Sequence, residues 1–183
     1  MILDGALRTI KIEPVQQRAW LYSRIAEESI KQNADQTQAR EVLDEVVDAA
    51  AKAPSTPVTA RALLGVAYLY TRIDMSRAIA VMAEAVKCIN RIEQPDFSRQ
   101  FVIRKIEGKA IGTYATFPTP GSNPESAFRE IGKIDFDGML NLASNFSDKS
   151  LRALTTLAVV EQCLKDLPAS PKPKQSKPTP TKP

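Results

Sequence analysis

Apolar residues return at steps of three and four through much of this chain. Val42, Leu43, Val46, Val47 and Ala50 form one such row, and Ala78, Val81, Met82, Ala85, Val86 and Ile89 form another. A period near 3.6 predicts amphipathic helices whose apolar stripes pack on one another. Helix-start signals divide the chain into units. EPVQQRAWL at 13–21 and TPVTARALL at 56–64 place Pro14, Arg18, Ala19 and Leu21 over Pro57, Arg61, Ala62 and Leu64, 43 residues apart. A further copy, DKSLRALTTLA at 148–158, keeps Arg152-Ala153 and has Asp148 where the prolines stand. Proline in the first turn and aspartate at the cap both serve to begin a helix.

The returning helix of each unit repeats too. RIDMSRAIAV at 72–81 aligns with KIDFDGMLNL at 133–142, 61 residues on, with Asp74 and Asp135 each placed to cap the helix that begins after it. The pattern predicts helices over 14–31, 36–52, 57–72, 75–92, 125–133, 136–145 and 148–166. The longer second period locates an insertion at 94–124, where FVIRKI-EG-KAIGTYATF is β-branched and aromatic. It predicts a β-hairpin around 100–117 turning at Glu107-Gly108, with Phe101 opposite Tyr114 and Ile103 opposite Gly112. Val102, Ile106 and Ile111 share its other face. The expected fold is all-α, a solenoid of antiparallel helix pairs over residues 1–167 carrying that insertion. Residues 168–183, PASPKPKQSKPTPTKP, have no core-forming side chains and are expected to form a disordered tail.

Charge changes the picture only through its placement. Of 25 Lys and Arg residues, Lys172, Lys174, Lys177 and Lys182 lie in the tail, and the rest of the chain holds 21 basic and 21 acidic residues. A body without excess positive charge lacks the clustered phosphate contacts that drive nucleic-acid affinity, so none is expected. No apolar run approaches the ~20 residues of a membrane span. The start, MILDGALRTIKIEP, shows no basic n-region or apolar h-region. A cytoplasmic chain is the default expectation, and an exported one if the sequence is a processed fragment.

Catalytic and metal chemistry find little to work with. The chain has no histidine, and its two cysteines, Cys88 and Cys163, are 75 residues apart in apolar helical settings that suggest buried hydrophobes. Zinc sites, Ser-His nucleophiles and phosphate-cradling glycine loops are not encoded. No cofactor and no enzymatic activity are expected. Glu41, Asp44, Glu45 and Asp48 line one flank of a helix as a solvated face. Arg18, Arg61 and Arg152, one per unit, are expected to anchor their helices, as a repeated position usually serves stacking.

Leu64-Gly65 followed by Tyr68, with Ala78, Met82 and Ala85 in the next helix, resembles a tetratricopeptide repeat, although 43 residues exceed the usual 34. The Arg-Ala phrases, the hairpin segment, and Glu125–Arg129 followed by Ile134-Asp135-Phe136 also resemble a group of bacterial helical-repeat proteins. The tetratricopeptide resemblance implies protein binding on the face lined by each unit's leading helix. Here that face would comprise Gln16, Ser23, Glu27, Thr59, Val66 and Tyr70. The expected role is a non-catalytic interaction or scaffold module. The alternative is a subunit of a larger or self-associating assembly, because helix 148–166 has no returning mate.

Overall fold

The computed structural model describes residue 22, residues 25–30, 36–97 and 121–166, and the backbone of 102–107 and 110–115. The fold is helical. Residues 25–30 are helical, and α1 (Gln36–Lys52), α2 (Pro57–Tyr70), α3 (Met75–Asn90), α4 (Pro124–Gly132), α5 (Phe136–Ser144) and α6 (Lys149–Asp166) come after them.

The starts of α2 to α6 share one chemistry. Side-chain oxygens of Thr56, Asp74, Asn123, Asp135 and Asp148 accept from the backbone N–H three residues on, at 3.2, 3.1, 2.8, 2.9 and 2.7 Å. Each cap satisfies a donor that the first helical turn cannot, which contributes about 1 kcal/mol. Pro57 and Pro124 follow their caps in the first turn, where a missing N–H costs nothing. The apolar residues after the aspartates, Met75 and Phe136, pack back on the core. Of the isoleucines before them, Ile73 is packed and Ile134 is exposed.

The α2 helix packs against α1, α3 and α4, and α3 also meets α5. The α6 helix packs against α4 and α5. One continuous core results, its largest fully buried side chains including Leu43, Leu64, Tyr70, Met82, Ile89, Phe128, Ile131, Met139 and Phe146. The Phe128 and Phe146 rings meet at 5.4 Å, tilted by 49°, a geometry aromatic pairs favour. Asn90, at the end of α3, donates to the Asn145 carbonyl and accepts from Ser147 N, both at 2.8 Å. That bracket ties α3 to the turn after α5.

Backbone strands Val102–Glu107 (β1) and Ala110–Ala115 (β2) run antiparallel, with Ile103 opposite Tyr114, Lys105 opposite Gly112 and Ile106 opposite Ile111. The expected register is therefore wrong by two residues: Ile103 does not face Gly112. The last pair is Glu107 with Ala110, so the turn falls one residue later than Glu107-Gly108. A slip of two leaves every residue on the same face, so the alternation of side chains could not distinguish the two registers. Phe101, and the strand side chains with it, lie outside the described residues.

Gly121, with φ of 88°, is in the left-handed region that other residues rarely adopt. A Cβ there would stand 2.8 Å from that of Tyr68. The bare backbone lets the loop before α4 close on α2.

Candidate interaction surface

Among the described residues, those expected to form a binding face do not make up one exposed surface. Gln16 and Ser23 lie outside the described residues, and Glu27 is partly buried. Thr59 belongs to the start of α2, its hydroxyl donating to the Pro54 carbonyl at 2.9 Å and sharing a hydrogen bond with the Thr56 hydroxyl. Val66 and Tyr70 are 0% exposed, in the core. The face fails at these two positions for a physical reason: α2 is apolar nearly all round, and helices of that kind are enclosed by their neighbours.

Tyr70 instead joins a polar clamp between helices. Its hydroxyl donates to the Arg40 carbonyl at 3.2 Å, beside the Asp44 carboxylate. Asp44 accepts from Arg77 Nε at 3.1 Å and Nη2 at 2.5 Å, and the guanidinium lies 6.0 Å from the Tyr70 ring centre. Arg40 pairs with Asp74 at 3.5 Å. Burial, then Asp44, pushes the Tyr70 phenol well above its ordinary value, while the bond to Asp44 raises Arg77. The clamp thus joins α1, α2 and α3. On the acidic flank Glu41, Glu45 and Asp48 are exposed, and Asp44 is the member drawn inward to the clamp.

The repeated arginines bind backbone. Arg61 donates to the Phe97 carbonyl at 2.5 Å and lies 5.5 Å from that ring's centre; burial lowers its pKa while Asp96 opposes the shift. Arg152 donates to the Phe146 carbonyl through Nε at 3.0 Å and Nη2 at 2.6 Å. Both anchor a segment that their own helix does not contain. Arg18 lies outside the described residues.

The missing mate of helix 148–166 points to α6, but sequence reasoning did not single out the residues on its outer side. Leu154, Leu157 and Leu164 are 42%, 66% and 63% exposed, with exposed Ala153 and half-buried Val160 beside them. Ala153, Leu157, Val160 and Leu164 follow one another at steps of four, three and four, the spacing of a seam that packs on another helix. Glu161, the charged residue flanking this row, is bound to Lys165 at 2.8 Å and Arg129 at 3.5 Å. The signal was present in the sequence as a second apolar row opposite Leu151, Thr155 and Ala158, which face the core. Cys163 is exposed on the same helix, contrary to the expected burial, whereas Cys88 is buried. Both thiols are free.

Alignment of the two Arg-Ala phrases sets Ala153, Leu157, Val160 and Leu164 over Ala62, Val66, Leu69 and Ile73. The α2 row is covered: three of its residues are buried and Ile73 packs on the core. Among the described residues no helix is long and apolar enough to cross a membrane, and no group of three or more Cys, Asp or Glu could hold a metal ion. Comparison with protein-family models, curated proteins and solved structures finds no match for this chain.

Proposed function

We propose that this chain is a non-catalytic protein–protein interaction module, and that the outer row of α6 is its contact surface. The observation that carries the reading is the exposure of Leu157 and Leu164, with exposed Leu154 beside them, in a seam whose counterpart on α2 is enclosed by other helices. Contiguous apolar surface with helix-packing periodicity is costly in water and characteristic of binding sites. The reading includes a stack of tetratricopeptide-like helix pairs. Packing of α2 on α4, of α3 on α5 and of α4 on α6 supports it, since leading helices then meet leading helices and returning ones meet returning ones.

Affinity capture from native extract with the full chain tests the surface. Proteins held by the wild type should be lost from Leu157→Lys and Leu164→Lys variants that retain wild-type helicity by circular dichroism. Retention of the same proteins by both variants would remove α6 as the contact surface.

A further inference from the structure

We infer that the occupant of the α6 seam is the α6 seam of a second copy of this chain, packed antiparallel about a twofold axis. The inference rests on the reading of α6 as a binding surface and names the partner.

Three observations carry it. The seam is self-complementary: with the axis between residues 158 and 159, Ala153 faces Leu164 of the second copy and Leu157 faces its Val160, small against large at each level. The row repeats a spacing already used for packing within the chain, because Ala62, Val66 and Leu69 on α2 are buried and Ile73, in the turn after it, packs on the core. Its electrostatics also permit pairing, since Glu161 is already neutralised by Lys165 and Arg129 and falls beside the aliphatic Leu154 of the second copy. One helix pair covers less than the roughly 800 Å² per partner of a standard stable interface. The dimer is therefore weak and forms with rising concentration.

Register makes the arrangement testable with thiols. In the antiparallel pair Thr156 of one copy flanks Cys163 of the other, whereas the two Cys163 residues stand far apart along the helices. A Thr156→Cys/Cys163→Ser variant mixed with wild type should form a disulfide-linked heterodimer under mild oxidation. Neither protein alone should do so through α6. Sedimentation from about 10 μM to about 1 mM, a range suited to a small interface, should show the wild-type mass rising toward that of a dimer and Leu157→Lys remaining monomeric. A wild type that stays monomeric throughout would overturn the proposal, as would a mixture that does not cross-link or a wild type linked through Cys163 to Cys163, which requires parallel pairing. If self-association is absent but Leu157→Lys still loses a captured protein, the second-copy inference fails and the binding surface stands. If both effects are absent, the surface fails as well.

Discussion

The α2 and α6 helices begin on the same phrase and end in opposite environments. Arg61-Ala62-Leu63 leads into a helix buried almost all round; Arg152-Ala153-Leu154, 91 residues later, leads into one that turns an apolar row outward. Their seams share a spacing, so periodicity does not separate them. The difference lies in the neighbours and in the opposite side. Three helices pack on α2, which presents Leu64, Ala67 and Tyr70 there as well. At the positions of Leu64, Gly65 and Tyr70, α6 carries Thr155, Thr156 and Glu161. Thr155 is buried, and its hydroxyl is satisfied by donating to the Leu151 carbonyl at 2.8 Å. The α6 helix thus carries a polar strip and two apolar rows, and the described structure covers one of those rows.

The largest effect that would sharpen this contrast is expected from Val66→Lys. An unpaired ammonium at a fully buried site should remove several kcal/mol of stability, roughly 3–5, enough to unfold much of the population. Urea denaturation followed by circular dichroism checks it.

Tyr70→Phe should cost about 1 kcal/mol at neutral pH by leaving the Arg40 carbonyl without its donor. The native phenol titrates above the ordinary tyrosine value near 10. Its contribution is thus fully present below pH about 10 and declines as the unfolded chain ionises above it. Wild-type stability should fall more steeply than that of Tyr70→Phe on passing from pH 9 to about 11, narrowing the gap between them. Parallel urea titrations across that range measure the difference.

Asp74→Ala and Asp148→Ala should each cost about 1 kcal/mol through loss of a cap. Costs that match, apart from the small share of Asp74's exposed pair with Arg40, would show that α2's partner helix and α6 begin by the same local chemistry, although their environments differ. Thermal melts of the two variants beside wild type suffice.

Much of the helical order was legible in the sequence because its determinants are local. Thr56-Pro57, Asp74, Asn123-Pro124, Asp135 and Asp148 act within one turn of themselves, and they place the helix starts. The exposed row of α6 was not legible on the same grounds. Val66 and Leu157 occupy equivalent positions in two similar phrases, and only the distant α3 and α4 decide that one is enclosed. Register in the strand pair escaped for a related reason, since a two-residue slip keeps every side chain on its face and only the turn position differs. The apolar residues around Cys163 suggest burial, but Leu164 beside it belongs to the exposed row.

The most direct test is urea denaturation of Leu157→Lys at low protein concentration, with Val66→Lys alongside. The expected result is a Leu157→Lys unfolding free energy within about 0.5 kcal/mol of wild type, with Val66→Lys severely destabilised. A Leu157→Lys midpoint that falls as far as that of Val66→Lys would make the α6 row part of the core and contradict its assignment as a surface.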